Sequence, residues 1–139
     1  MFDGLTLGAA YTYLKAQEED GSEEIRRAPH SGRLDVNYTF DRGRGNVNVA
    51  AIYNGDMLDN AFDAVTFAAS KVVLEEYWLV NVAASYEVSP GVEVYGRIQN
   101  LLDEDYQEIY GYETAGAAAY AGLRFTYEEL PSVAWANGR

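Results

Sequence analysis

The side chains able to do chemistry are few. His30, beside Pro29, is the single imidazole of the chain. No Ser–His–acid set and no metal-ligand spacing accompanies it. Cys is absent, which removes thiolate metal sites, disulfides and Cys nucleophiles. A lone loop histidine is ordinarily solvated, and His30 is assigned no catalytic role. The acid pairs Glu18/Glu19 and Asp103/Asp105 carry the hard oxygen ligands that calcium takes. No Asp-x-Asp-x-Asp-Gly run is present, so solvated loop charge is the stronger reading and no metal is expected. Gly43 and Gly45 precede no helix, so they form a hairpin turn and not a phosphate cradle. The residues describe neither an enzyme nor a cofactor site.

Composition narrows the field further. The chain has 139 residues, a formal net charge of -12 and 48% hydrophobic residues. That hydrophobic content excludes a disordered acidic tail. The acidity argues against a nucleic-acid partner, whose phosphates need Lys and Arg. No apolar run approaches the 18 or so residues of a membrane helix. The Met-Phe-Asp-Gly start lacks the basic and apolar regions of a signal peptide. Tyr is conspicuous at 12 residues, with 5 Phe and 2 Trp. Tyr favours strands and also boundaries between apolar and wet surroundings.

The elements that must position these residues have a period of two, not 3.6. Leu34, Val36, Tyr38 and Phe40 alternate with Arg33, Asp35, Asn37 and Thr39. Val47, Val49, Ala51 and Tyr53 alternate with Asn46, Asn48, Ala50 and Ile52. Val92, Val94, Gly96 and Ile98 alternate with Glu93, Tyr95, Arg97 and Gln99. Further strands are expected at about 4–16, 76–87 and 117–127. The fold class is all-β, an antiparallel up-and-down meander of about six strands, with no convincing helix.

The links alternate in length. Asp41–Gly45 and Ser89–Gly91 are short glycine turns, whereas 17–30, 54–75 and 100–116 are long. Fifteen of the 22 acids lie in or beside the long links, which places the charge at one end of the sheet. Aromatics gather in two bands. Tyr11, Tyr13, Tyr53, Tyr77 and Trp78 lie near the long links, and Tyr38, Phe40, Tyr86, Phe125 and Tyr127 near the short turns. Strands of about 9–11 alternating residues, unlike rims and aromatic girdles describe a membrane barrel with an apolar lipid face and a wet lumen. Arg33, Asp35, Asn37, Arg97, Gln99 and Arg124 would face that lumen, either on a substrate path or against an internal domain. A self-satisfied ion-paired wall is the stronger reading of this set. Asn60, Phe62, Asp63 and Phe67 in the longest link are candidates for ligand contact, or for packing within the loop.

Several segments carry a family resemblance. Asn100-Leu101-Leu102-Asp103-Glu104-Asp105-Tyr106 resembles the Asn-Leu-(Phe/Leu)-Asp-x-x-Tyr motif before the last strand of TonB-dependent outer-membrane receptors. Gly111-Tyr112-Glu113-Thr114-Ala115-Gly116 is similar to the following Gly-Tyr-x-x-Pro-Gly segment, with Ala115 where Pro is usual. Tyr120-Ala121-Gly122-Leu123-Arg124-Phe125-Thr126-Tyr127 resembles the closing strand. Arg27-Ala28-Pro29-His30-Ser31 and the strand from Tyr77 to Tyr86 resemble earlier pieces. The resemblance covers about residues 4–127.

The resemblance implies that the chain is the last part of a 22-stranded transmembrane barrel in a Gram-negative outer membrane. It implies a plug domain and remaining strands that this chain does not contain. It implies uptake of a ferric siderophore, haem or cobalamin, driven by TonB–ExbB–ExbD through the plug. Residues 1–127 would be barrel, and 128–139, which lack strand alternation, a non-barrel extension or scar. Six strands are fewer than the minimum of about eight for a closed barrel. The open edges are expected to drive self-association. A soluble β-sandwich or lipocalin-like module, or a small complete barrel, are the alternatives.

Overall fold

The computed structural model describes residues 4–66 and 68–127. The expected non-barrel tail, 128–139, and the ligand candidate Phe67 lie outside the described residues. Eight strands are present among those described: β1 (Leu5–Tyr13), β2 (His30–Phe40), β3 (Gly45–Asn54), β4 (Met57–Phe62), β5 (Ala69–Leu74), β6 (Tyr77–Ser89), β7 (Val92–Gln99) and β8 (Ala118–Phe125). Six form one antiparallel sheet in the order β1-β2-β3-β6-β7-β8, and β4 and β5 pair as a separate hairpin.

The expected six-stranded meander is therefore the main sheet, and the count of strands is corrected by two. The link 54–75 is a hairpin, not a loop. Its strands lack clean alternation, as Met57-Leu58-Asp59 and Val72-Val73-Leu74 illustrate, so the period of two is absent there. The turn is made by the Asp63 carboxylate, which accepts the backbone N–H groups of Val65 and Thr66 at 2.8 and 2.7 Å. These bonds hold the Asp63 carboxyl below its ordinary pKa. The second strand also starts earlier than its alternation suggests, at His30.

Register decides what each face carries. One row across the sheet joins Leu7, Val36, Val49, Val82, Ile98 and Ala119. The adjacent row joins Thr6, Asn37, Asn48, Ala83, Arg97 and Tyr120. Because directly paired residues share a face, the whole sheet has one apolar and one more polar side. At the long-link end of the apolar face Tyr53 packs on Trp78, with ring centroids 4.8 Å apart. At the short-turn end Tyr38, Phe40 and Tyr86 stack in series at 5.9 and 6.2 Å. Tyr77 departs from the expected outer band. It points to the opposite face from Trp78 and is buried against Tyr106, at a centroid distance of 4.4 Å.

The apolar face has no cover among the described residues. Leu5, Leu7, Leu34, Trp78, Leu123 and Phe125 are all exposed. Buried hydrophobic residues among those described are Ala50, Met57, Leu74 and Tyr77. A sandwich would bury alternate residues of every strand against a second sheet. The only other sheet among the described residues is the short β4–β5 hairpin, so the sandwich alternative fails on packing. An exposed apolar face of this extent fits a surface that meets lipid or protein.

Placing a charge on that face separates the two sides. Val82→Lys, at mid-sheet on the apolar face, is expected to cost about 2–4 kcal/mol in refolding of the intact barrel into vesicles. Ser85→Lys, on the opposite face, is expected to change it by about 0.5 kcal/mol or less. Equal costs at the two positions would contradict this assignment of faces.

Candidate functional site

The long-link rim holds the densest set of specific contacts. Asp59 on β4 is fully buried, with 0% of its surface exposed. Its Oδ1 accepts from Arg26 Nε at 2.8 Å and from its neighbour Asn60 N–H at 2.8 Å. Its Oδ2 accepts the Tyr110 N–H at 2.7 Å. Burial pushes this carboxyl toward a higher pKa. The Tyr110 and Asn60 N–H groups and the Arg26 guanidinium outweigh that push and hold it below the ordinary carboxylate value. Neighbouring acids surround an open cleft of roughly 580 Å³ between the foot of the hairpin and the third link. Glu75, Glu76, Glu104, Asp105 and Glu113 line it, with Tyr106 and Tyr110.

The residues of the Asn100–Tyr106 motif act as fasteners. Asn100 is buried and takes a left-handed φ of 49°, which Asn tolerates better than most residues. Its side chain donates to Glu104 O and accepts Glu104 N–H, both at 2.9 Å. Its own N–H donates to Asn81 Oδ1 at 2.9 Å. The Leu101 N–H donates to Val80 O at 2.7 Å, which ties the link to β6. Asp103 Oδ1 accepts the Ala117 N–H at 2.7 Å and so aims the chain into β8. A Cβ on Gly116 would lie 2.6 Å from that same oxygen, so only glycine permits the approach. Tyr106 packs on Tyr77, and its carbonyl accepts the Thr114 hydroxyl at 2.7 Å. Gly111 N–H donates to Gln107 Oε1 at 3.2 Å in a turn that leaves Tyr112 exposed. Gly122 leaves room for the Tyr95 ring, whose hydroxyl would meet a Cβ there at 2.5 Å. Phe125 and Tyr127 are exposed.

The polar wall divides into two groups. Arg33 and Asp35 form a two-bond ion pair on β2, at 2.6 and 2.7 Å. Asn37 accepts from Asn46 on β3 at 3.1 Å. Arg124 on β8 pairs with Glu93 on β7 at 2.9 Å, and Arg97 lies over the Tyr120 ring at 4.6 Å. Gln99 sits opposite Ala118 at the end of β7. Arg33 and Arg97 lie on strands three steps apart, about 14 Å at the usual strand spacing. They share a wall without forming one constellation. On the hairpin, Asn60 offers its N–H to Asp59, Phe62 is 70% exposed and Asp63 is occupied by its turn.

Local sequence does not mark Asp59, Arg26 and Tyr110. Their separations of 33 and 51 residues exceed any motif, and in the sequence Asp59 is one acid among many. The Gly116 contact generates a direct test. Gly116→Ala pushes the Asp103 carboxylate off the Ala117 N–H and is expected to lower stability by about 1 kcal/mol, the worth of that hydrogen bond. The loss should appear in urea unfolding, with faster amide exchange at Ala117. Unchanged exchange there would show that the fastener is dispensable.

Comparison with known proteins agrees with this architecture. The family model described as TonB dependent receptor-like, beta-barrel matches residues 2–101. The vitamin B12 transporter BtuB of Photobacterium profundum is 34% identical over 119 residues, covering 84% of this chain and 18% of BtuB. The pyoverdine outer membrane receptor FpvA from Pseudomonas aeruginosa PAO1 superposes with a TM-score of 0.76 at 18% identity, over 89% of this chain and 19% of that one. The siderophore receptor PiuA from Acinetobacter baumannii gives 0.66 at 20% identity, over 90% and 20%. At such identities the two structures speak for the fold alone. The chain spans about a fifth of the length of these relatives. Over that span, the chain belongs to the family of TonB-dependent receptor β-barrels.

Proposed function

We propose that residues 1–127 form part of the barrel of an outer-membrane receptor that takes up a scarce nutrient of the ferric siderophore, haem or cobalamin class. The observation that carries this reading is the 34% identity to a vitamin B12 transporter across most of the chain. The two-faced sheet supports it physically. The apolar rows face lipid, and the four inner strands pair on both sides, as backbone inside hydrocarbon must. Arg33, Asp35, Asn37, Arg97, Gln99 and Arg124 face the lumen, where they meet the plug domain or the path of the substrate. Asn60 and Phe62 on the β4–β5 hairpin, with Asp63 at its turn, serve as ligand contacts at the outer rim, and Phe67 is assigned the same role from its place in the sequence.

The partners of this reading are the lipid bilayer, the plug and the remaining barrel strands. TonB–ExbB–ExbD supplies energy through the plug. The function is transport, not catalysis. Produced alone, the chain self-associates, because among the described residues β1 and β8 each present an edge of unpaired N–H and C=O groups.

The test uses the intact barrel that carries this chain, purified in detergent. Cyanocobalamin, a ferric siderophore and haem are titrated separately and followed by calorimetry. Saturable binding of one of them is expected, weakened severalfold by Phe62→Ala. Absence of binding by all three would overturn the nutrient reading.

A further inference from the structure

We propose that Asp59 is a positioning residue that latches the three long links into one body, so that loosening one link loosens the others. The three links come from separate parts of the chain and meet at this carboxylate. Arg26 belongs to the first, Asp59 and Asn60 to the second, and Tyr110 to the third. The first link is held twice, because the Arg26 N–H also donates to Leu58 O at 2.7 Å.

Backbone strain at Arg26 points to the same role. Arg26 adopts φ 58°, a conformation that costs a long side chain energy. Such a residue persists only where its surroundings over-determine it. Here β4 holds both its N–H and its guanidinium.

Coupling follows from burial. A fully buried carboxylate is tolerable only while its donors remain in place. Removal of the Arg26 guanidinium leaves Asp59 with two backbone donors and an uncompensated charge. The hub then opens toward water, and opening it releases Tyr110, whose N–H donates to Asp59 and not to Arg26. The wall pairs Arg33–Asp35 and Arg124–Glu93 have no such reach, since each joins residues of one strand or of adjacent strands. The latch rests on geometry and not on the identity of the ligand, so it stands or falls separately from the nutrient reading.

The experiment compares amide exchange in the intact detergent-solubilised barrel carrying parent, Arg26→Ala, Arg26→Lys and Asp59→Asn chains. Arg26→Ala and Asp59→Asn are each expected to accelerate exchange at Tyr110 by about tenfold. Exchange at Ala117, held separately by Asp103, and at Val49 in mid-sheet should not change. Arg26→Lys, which keeps a cation within reach, should restore most of the protection at Tyr110. Exchange at Tyr110 within about twofold of the parent in Arg26→Ala would overturn the latch. Parallel acceleration at Val49 would also overturn it, by making Asp59 a contributor to global stability alone. Arg26→Ala keeps the test open should Asp59→Asn fail to assemble.

Discussion

Strand parity governs this sheet. Side chains alternate between two faces, so a single register assigns the side of every residue in all six strands. A slip of one residue would carry Val49 and Val82 to the polar side and Asn48 to the apolar one. The register observed joins Leu7, Val36, Val49, Val82, Ile98 and Ala119 into one uninterrupted apolar row. The few buried hydrophobic residues among those described do not enforce this order, since Leu5, Leu7, Leu34, Trp78, Leu123 and Phe125 of the apolar face are exposed. The order makes sense against an apolar solvent, which accepts such a face and demands paired backbone in return.

The two rims are built on a different principle. At the short turns the strands simply reverse, and Arg44 covers the Tyr86 ring at 5.1 Å. At the long links the chain leaves the sheet for many residues and must return in register. Point contacts bring it back. Asn100 closes a loop on Glu104, Asp103 holds the entry to β8, and Asp59 gathers segments that share no local sequence. The family motif is therefore best understood as a set of fasteners between β7 and β8. Asn100 and Asp103 spend their side-chain hydrogen bonds on the backbone, whereas Glu104 and Asp105 line the acidic cleft, which with the exposed aromatics is open to a partner.

This division also explains what could be read from sequence. The main sheet is legible because alternation is a repeated signal, summed over strands of 8 to 13 residues. Arg33, Asp35, Arg97 and Arg124 are assignable to one face for the same reason. The β4–β5 hairpin is not legible, because Met57-Leu58-Asp59 places apolar neighbours side by side and six residues are too few for a period to emerge. Tyr77 falls outside the expected band because it adjoins Trp78, while parity sends the two rings to opposite faces. Asp59 is hidden by company. Fifteen acids share that rim, and only three-dimensional contact separates the buried one from its solvated neighbours.

The measurement that bears most directly on this account is a cysteine scan of β3 in the intact barrel, reconstituted in a bilayer. The chain contributes no cysteine of its own, so each introduced thiol within it can carry a spin label. Labels at Val47, Val49 and Ala51 are predicted to be relaxed by oxygen dissolved in lipid. Labels at Asn46 and Asn48 are predicted to be relaxed by a water-soluble nickel chelate. A period of two in opposite phase for the two reagents is the expected result. Relaxation of all five positions by the chelate alone would contradict a lipid-facing sheet.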